Sequence, residues 1–256
     1  MASNPPRIAL VADIHANIWA WDAVLADIEK QRVDTVFNLG DVLYGPLKPR
    51  ATFDRLQSLG DRLTIRGNQD RQIYDATEQD RRAIPTLDYV IKDLGEEPIQ
   101  WLRTLPPTAV FEEEIFLCHG TPACDETYLL EDMASGGPTL RPESELLRLV
   151  KSVRHPVIVC GHTHNPRLVS LVNGQMIVNP GSVGLPAYSE DAPVPHSMET
   201  YSPHASYAIL TKKATKKAAF WDVSFHKIAY DYEPASRCAA SVGRNDWARA
   251  IATGRV

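Results

Sequence analysis

The sequence lacks several features that would assign a protein to a class at once. Its four cysteines form no Cys-x-x-Cys pair, which argues against a structural zinc ribbon and a disulfide framework. Cys118 and Cys160 lie inside apolar runs, where a buried thiol is expected. No apolar stretch approaches the roughly 20 residues that span a bilayer, so we expect no transmembrane segment and no membrane partner. No repeat of solenoid or propeller period and no low-complexity segment is visible.

Basic residues are also fewer than acidic residues. Lys and Arg number 27 against 32 Asp and Glu, a formal net charge of −5, so a basic nucleic-acid-binding surface is not expected. The apolar content of 44% is ordinary and sufficient for a sizeable core, and we expect a single domain over residues 1–256. The first residues resemble neither a secretory signal nor a transit peptide, which predicts a cytoplasmic protein.

The first third of the chain alternates between two hydrophobic patterns. Apolar runs at Arg7–Val11, Thr35–Leu39 and Arg62–Ile65 predict buried strands. Between them, Ile18–Gln31 and Arg50–Leu59 have helical spacing of apolar residues. This order predicts parallel strands with helices packed on the sheet.

The later part of the chain has a different organisation. Residues 80–105 predict one or two helices broken near Gly95 and Pro98. Asn173-Gly174 predicts a hairpin turn, and residues 212–217 predict a second, lysine-rich hairpin tip. Residues 121–142 and 186–203 show no clear period and predict two long surface loops. Further strands are predicted at 109–112, 115–118, 157–160, 168–172, 176–178, 207–210 and 219–226.

Polar clusters follow the three early strands. Asp13 and His15 come after the first strand, Asp41 after the second and Asn68 after the third. The carboxyl ends of parallel strands meet at one edge of a sheet, where α/β proteins bind ligands. We therefore expect these side chains to lie close together.

Three more histidines occupy similar positions. His119 follows one later strand, and His162 and His164 follow another. Imidazole, carboxylate and amide ligands suit Mn, Fe, Co, Ni or Zn better than Ca or Mg alone. The pattern predicts a two-metal site in which Asp41, alone at the central strand end, is placed to bridge. Asp-x-His by itself is a common pattern, whereas the ordered combination is specific.

The combined motifs resemble those of a known family. The matching elements are Asp13-x-His15, Gly40-Asp41, Gly67-Asn68-x-Asp70, His119-Gly120 and Gly161-His162-Thr163-His164. Together they resemble the calcineurin-like metallophosphoesterase superfamily over residues 7 to about 182. Residues 13–17 and 179–184 are similar to its small bacterial and archaeal phosphodiesterase branch, which includes enzymes that hydrolyse dinucleoside polyphosphates. The resemblance implies an α/β fold, a two-sheet β-sandwich flanked by helices, and a metal-dependent hydrolase of phosphodiester or phosphoanhydride bonds.

The resemblance also implies individual roles. Two divalent ions would be bound, with manganese expected first among Mn, Fe, Ni, Co and Zn. One ion would be held by Asp13, His15, Asp41 and His164, and the other by Asp41, Asn68, His119 and His162. Asp41 would bridge the two ions, and Asp41, Asn68 and His119 would act in catalysis. Two such ions activate a shared water for attack on phosphorus.

One position departs from the family pattern. Many superfamily members have a histidine after the asparagine, where this chain has Gln69. A glutamine amide donates a hydrogen bond but cannot deliver a proton, and general acid catalysis is typically worth about 10²- to 10⁴-fold. The expected substrate is a nucleotide or other small phosphoester with a good leaving group. Asn17, Tyr44 and Gln69 are candidates for substrate contact, with turn packing as the alternative for Tyr44.

Two alternative functions and one open assignment remain at this point. A protein Ser/Thr phosphatase would keep the metals but would need the histidine that Gln69 replaces. A catalytically silent scaffold, as in the retromer subunit of this fold, would need none of the intact ligands. His196 and His204 either supply the missing proton from a loop or are exposed loop residues.

Overall fold

The computed structural model describes residues 6–59, 63–215 and 219–256. Strands within these residues are β1 (Arg7–Val11), β2 (Thr35–Asn38), β3 (Leu63–Thr64), β4 (Thr108–Phe111), β5 (Ile115–Cys118), β6 (Glu131–Asp132), β7 (Thr139–Leu140), β8 (Val157–Val159), β9 (Arg167–Ser170), β10 (Met176–Asn179), β11 (Ala187–Glu190), β12 (His196–Glu199), β13 (Ala205–Ala214) and β14 (Ala219–Ile228). Helices are α1 (Ile18–Gln31), α2 (Pro49–Gln57), α3 (Asn68–Asp75), α4 (Glu78–Ala83), α5 (Pro85–Leu94), α6 (Glu96–Thr104), α7 (Glu143–Leu149), α8 (Glu233–Ser241) and α9 (Asn245–Thr253).

Two five-stranded sheets form the centre of the fold. The first has the order β14-β13-β1-β2-β3 and the second the order β4-β5-β8-β10-β9. β1, β2 and β3 are parallel, as the alternation of strands and helices predicts, and β13 joins β1 antiparallel. Arg62, the predicted start of the third strand, lies outside the described residues. The predicted α/β fold of two sheets flanked by helices is confirmed.

The burial of β1 explains why its sequence reads as a continuous apolar run. Ile8 and Leu10 belong to an apolar layer shared with Leu117 of the second sheet. Ala9 belongs to a second layer, which it shares with Trp21 of α1. Successive side chains of a strand point to opposite faces, so both faces of β1 are covered. The first layer lies between the sheets, and the second joins the first sheet to its helices.

The helical segment after β3 differs from its prediction. Residues 80–105 contain three helices, α4, α5 and α6, instead of one or two. Gly95 separates α5 from α6 as predicted, with a φ of 69°. Pro98 does not break a helix, because it lies in the first turn of α6, where a backbone N–H has no partner inside the helix.

The two segments predicted as long loops are more ordered than expected. Residues 121–142 contain the β6–β7 pair together with buried Leu129 and Leu130, and residues 186–203 contain the β11–β12 hairpin. These strands have four residues or fewer, too few to establish a hydrophobic period. The Asn173-Gly174 turn is confirmed, because β9 and β10 pair antiparallel across it. Residues 216 and 217 of the predicted lysine-rich tip lie outside the described residues.

Two expectations from the composition can be compared directly with the structure. All four cysteines are free, and Cys118 and Cys160 are buried as predicted. Among the described helices, none has the length and apolar character needed to cross a bilayer.

Candidate metal centre

Seven polar side chains converge beyond the carboxyl ends of strands from both sheets. They are Asp13 and His15 after β1, Asp41 after β2, Asn68 after β3, His119 after β5, and His162 and His164 after β8. All seven were nominated as metal ligands from the sequence. The structure brings them together in two adjacent groups.

The first group consists of Asp13, His15 and His164, all buried, with ligand atoms within 4.8 Å of one another. The Nε2 atoms of the two histidines are 3.1 Å apart, and His164 Nε2 lies 3.4 Å from Asp13 Oδ1. Nδ1 of His15 donates to the Tyr44 carbonyl at 3.0 Å, and Nδ1 of His164 donates to the Leu185 carbonyl at 2.6 Å. Because a carbonyl only accepts, each ring carries its proton on Nδ1 and turns the Nε2 lone pair inward.

The second group consists of Asp41, His119 and His162, again with ligand atoms within 4.8 Å. His119 Nε2 lies 3.4 Å from Asp41 Oδ2 and 3.0 Å from Asn68 Oδ1, while its Nδ1 donates to a backbone carbonyl just after β2. His162 has the opposite orientation, since its Nε2 donates to the Glu126 carbonyl at 3.1 Å. Its Nδ1 lone pair therefore remains available for a ligand.

Five of the seven side chains belong to residues with left-handed backbone. The φ angles are 55° at Asp13, 50° at His15, 52° at Asp41, 72° at His162 and 60° at His164. Such a conformation costs a non-glycine residue on the order of 1–3 kcal/mol and persists only where the surrounding fold enforces it. Backbone hydrogen bonds between the loops enforce it here, from Asp13 N to the Gly40 carbonyl and from His15 N to the Asp41 carbonyl. The strained turns point neighbouring side chains into one small volume.

Two glycines let the loops after β2 and β3 approach each other. Gly40 has a φ of +98°, and a Cβ on it would lie 2.2 Å from the backbone nitrogen of Gly67. A Cβ on Gly67 would lie 2.1 Å from Asp41 Oδ1. A side chain at Gly40 would push the two loops apart and one at Gly67 would displace Asp41, which explains the Gly-Asp and Gly-Asn pairs of the motif.

Asp70 links the same two loops, a role that the motif did not reveal. It is fully buried, and its carboxylate accepts hydrogen bonds from Val42 N at 2.9 Å and Gly67 N at 3.0 Å. Burial and the nearby Asp41 raise the pKa of Asp70 to about 7, against the opposing effect of these N–H donors. The available signal was its place three residues after Gly67 at a helix start, where a carboxylate reaches back to the first N–H groups.

Side chains from the end of β10 and the segment after it form hydrogen bonds to the backbone of the loops that carry the first group. Asn179 Nδ2 donates to the Gly161 carbonyl at 2.7 Å, and Ser182 Oγ donates to the Asp13 carbonyl at 2.8 Å. Both side chains are buried. They act on the backbone of the ligand loops and therefore orient Asp13 and the histidines after β8.

Burial and charge act against each other in the metal-free centre. Burial alone would lower the pKa of His119, but the carboxylates of Asp41 and Asp13 outweigh it and raise the pKa to about 10. Burial and a neighbouring histidine lower the pKa of His15 and of His162 to about 4. One imidazolium thus lies beside two carboxylates at neutral pH, while His15 and His162 are neutral lone-pair donors.

Comparison with known proteins identifies this arrangement. A sequence profile described as the calcineurin-like phosphoesterase superfamily domain matches residues 7–202, which include all seven converging side chains. The chain belongs to this superfamily. An uncharacterised protein of Methanocaldococcus jannaschii is 24% identical over 193 residues, covering 70% of this chain and 76% of that protein. A crystal structure of a metallophosphoesterase from Sphaerobacter thermophilus has the same fold, with a TM-score of 0.73 and 22% identity over 98% of this chain and 100% of that one.

Phosphoesterases of this superfamily use divalent metals, and the side chains of this centre fit such ions. Asp13 Oδ1 is buried without a hydrogen-bond partner among the described residues. The lone pairs of His15 and His164 meet at 3.1 Å, which requires a cation or a proton between them. The two groups are contiguous, because His119 Nε2 lies 4.0 Å from Asp13 Oδ1. Imidazole nitrogens with carboxylate and amide oxygens suit transition metals.

A cavity of about 880 Å³ opens above the two ligand groups. Tyr44 and Gln69, both candidates for substrate contact, line it, and Gln69 Oε1 has no hydrogen-bond partner in the described part of the chain. Asn17 is not brought to this cavity. It is fully buried, caps α1 by accepting from Ala20 N, and donates to the Gly184 carbonyl at 2.8 Å. Its side chain is committed to the start of a helix, which the motif alone could not show.

The C-terminal helix contributes two cavity residues that no motif marked. Trp247 of α9 lies edge-on to His15, with ring centroids 5.7 Å apart, and Arg244 lies over Trp247 with Cζ 5.5 Å from its ring centre. Both line the cavity, although both follow the last residue of the family match. Only the three-dimensional fold places them in the cavity wall.

A chain of hydrogen bonds begins at His162 and includes two tyrosines that line the cavity. Tyr188 donates to the His162 carbonyl at 2.9 Å and lies 3.1 Å from the Tyr128 hydroxyl, which in turn lies 3.0 Å from His196 Nε2. His196 is buried in β12 and does not reach the cavity wall. Neither expectation for His196, an exposed loop residue or a proton donor above the metals, is met.

Proposed function

We propose that this phosphoesterase uses two divalent metals to hydrolyse phosphodiester or phosphoanhydride bonds of nucleotides or other small phosphoesters. The observation that carries the proposal is the pair of contiguous ligand groups beneath a cavity of about 880 Å³. Such a volume lies within the range of small-molecule sites. Manganese remains the metal that we expect.

The side chains divide into two sets with separate tasks. Asp13, His15 and His164 would hold one ion, Asn68, His119 and His162 the other, and Asp41 would contribute to both. When bound, the two ions would supply a water nucleophile at neutral pH and offset charge on the phosphoryl oxygens. The remaining requirement is positioning, because phosphoryl transfer needs little covalent chemistry from the protein.

Gln69 limits the leaving groups that this centre can expel. Its backbone N–H donates to Asp41 Oδ1 at 2.9 Å, which holds the residue next to the second ligand group. Its amide lines the cavity and can donate to a phosphoryl oxygen, but it cannot release a proton. A leaving group must then depart as a stable anion. Dinucleoside polyphosphates and nucleoside triphosphates meet this condition, whereas phosphoserine meets it poorly.

Hydrolysis of bis-p-nitrophenyl phosphate and diadenosine tetraphosphate tests the proposal. We expect turnover in Mn²⁺, loss of turnover in EDTA, and recovery when Mn²⁺ is restored in excess. Metal content is measured on the same samples. A protein that holds two metal equivalents and turns over neither substrate would instead be a scaffold, although its intact ligand set favours the enzyme.

The protein Ser/Thr phosphatase alternative is tested by phosphopeptides. A phosphatase of that kind must expel a serine or threonine alkoxide, which needs the proton that Gln69 cannot deliver. We expect phosphopeptide turnover to remain far below that of the two diester and anhydride substrates. The opposite order would reject the proposed substrate class.

Replacing Gln69 with histidine should restore part of the missing acid catalysis. We expect the rate on poor leaving groups to increase by about 10- to 100-fold, and the rate on p-nitrophenyl esters to change little, since acid catalysis aids poor leaving groups most. The measurement is kcat/KM across a series of phosphodiesters with leaving groups of increasing pKa. Gln72→His is the matched control, because Gln72 lines the same cavity. An equal change across the whole series would contradict the assigned role of Gln69.

A further inference from the structure

The four outer edges of the two sheets differ greatly in length. β3, β4 and β9 form three of them, with two, four and four residues. Short edge strands are one way in which proteins avoid pairing with other chains. The fourth edge, β14, has ten residues without proline or glycine and pairs with β13 alone among the described strands.

β14 also carries exposed apolar side chains. Phe220 is 47% exposed and Phe225 is 41% exposed, on opposite faces of the strand. Its ionic residues are few: Asp222, which pairs with Lys213 on the neighbouring strand, and Lys227. A long edge with exposed aromatic residues and free backbone groups is a template for another strand.

We propose that β14 is a self-association edge, on which a second copy of this chain adds its own β14 in antiparallel orientation. The two five-stranded sheets would then form one sheet of ten strands. A two-fold axis perpendicular to the sheet relates the copies. The same face of β14 therefore lies on the same side of the joined sheet in both copies. Only residues on the same face can therefore stand opposite each other, and a residue on the axis faces itself.

An axis through Ser224 makes the strand complementary to itself. Residues equally distant from Ser224 on either side then face each other, and each pair has matching chemistry. The pairs are Phe220 with the partner's Ile228, Trp221 with the partner's Lys227, Asp222 with the partner's His226, and Val223 with the partner's Phe225. Two of these pairs are apolar, one is a cation against an indole and one is a carboxylate against an imidazole.

Other axis positions lack this match. An axis through Phe225 would place Asp222 opposite the partner's Ile228 and Lys227 opposite the partner's Val223. Each charged group would then face an aliphatic side chain. The match at Ser224 involves both faces of the strand and every ionic residue on it, which favours a second copy of this chain as the occupant over an unrelated peptide.

Cross-linking through position 224 tests the contact and the register together. Residues that face each other in an antiparallel pair have Cα atoms roughly 4.5–5.5 Å apart, within reach of a disulfide. Cys124 is exposed, so the variants are made in a Cys124→Ser background. We expect Ser224→Cys to form a covalent dimer under mild oxidation, and Phe220→Cys, which lies far from its own copy across the axis, to form no covalent dimer.

The oligomeric state of the unmodified protein is the second measurement. By sedimentation we expect a concentration-dependent dimer, and we expect Phe225→Lys to weaken it at least about tenfold, since the Phe225 pair occurs twice in a symmetric interface. Val110→Lys is the matched control, because Val110 is 44% exposed on the β4 edge. Circular dichroism checks that each variant is folded.

Three results would overturn the proposal. The unmodified chain could sediment as a monomer at every concentration while Ser224→Cys fails to cross-link. Phe220→Cys could cross-link as readily as Ser224→Cys, which would reject the register. Val110→Lys could disrupt the dimer while Phe225→Lys does not, which would move the contact to the other sheet.

Discussion

Replacing Asp41 with asparagine is expected to reduce kcat/KM for bis-p-nitrophenyl phosphate at least about 10³-fold, because metal-ion catalysis supplies several kcal/mol and each 1.4 kcal/mol is tenfold. Asp41 lies 3.4 Å from His119 and is the carboxylate of the second group. Asparagine preserves the size of the side chain and tolerates the φ of 52° at this position. The loss should therefore come from missing charge and not from a refolded loop.

The matched control for this change is Asp132→Asn. Asp132 lines the same cavity, but its carboxylate lies near Arg141, at 3.8 Å, and belongs to neither ligand group. We expect this variant to retain activity within about threefold, since exposed ion pairs contribute little. Metal content should fall in Asp41→Asn alone. An Asp41→Asn protein with full activity and full metal content would remove the basis for the two-metal assignment.

Metal affinity is expected to increase about 100-fold between pH 6 and pH 8. The pKa of His119 is about 10 in the metal-free protein, so the ring is protonated across this interval. It must lose that proton to bind a metal through Nε2, which makes the apparent affinity about tenfold greater for each pH unit. His15 and His162, with pKa values of about 4, are already neutral and contribute no further dependence.

The same titration affects folding stability with a defined sign. A raised pKa in the folded state stabilises the metal-free protein below about pH 6.5, and this stabilisation is lost as the pH approaches 10. The difference in Tm between metal-loaded and metal-free protein should therefore widen as the pH increases.

Calorimetric titration with Mn²⁺ at pH 7.5, in two buffers of different ionisation enthalpy, gives the number of protons released. We expect about one proton from the second group, and none from that group in the His119→Asn variant. Release of no proton by the unmodified protein would show that His119 is neutral before the metal arrives.

The convergence of the candidate ligands was predictable from the sequence because it depends on local order along the chain. Each candidate ligand directly follows an apolar strand, and parallel strands present their carboxyl ends at one edge. The membership of each group depends on the sheet and the loop to which each residue belongs. The resemblance to the superfamily implied this division into two groups. The structure brings the same residues together as Asp13, His15 and His164 and as Asp41, His119 and His162.

What the sequence concealed depends on contacts between distant segments. The left-handed backbone at Asp13 and His15 arises from hydrogen bonds between loops, which residue type does not encode. The place of Trp247 beside His15 depends on how the last helix packs against the first loop. Asn17 was expected to contact substrate because it follows a ligand motif, yet its capping role uses the same side chain. Adjacency in sequence indicates position but does not distinguish a functional contact from a structural one.

The order of strands in the first sheet bears on how this protein can be divided. β13 lies between β14 and β1, so the segment that begins the chain depends on a strand from its last quarter. The family match ends at residue 202, before β13 begins. A fragment that ended at residue 202 would lack β13, so β1 would become an exposed edge strand and Ile8 and Leu10 would lose part of their cover. The fragment would also lack Trp247, which packs on His15. The end of the family match is therefore not the end of the structural unit, and expression fragments should retain the C-terminal hairpin and helices.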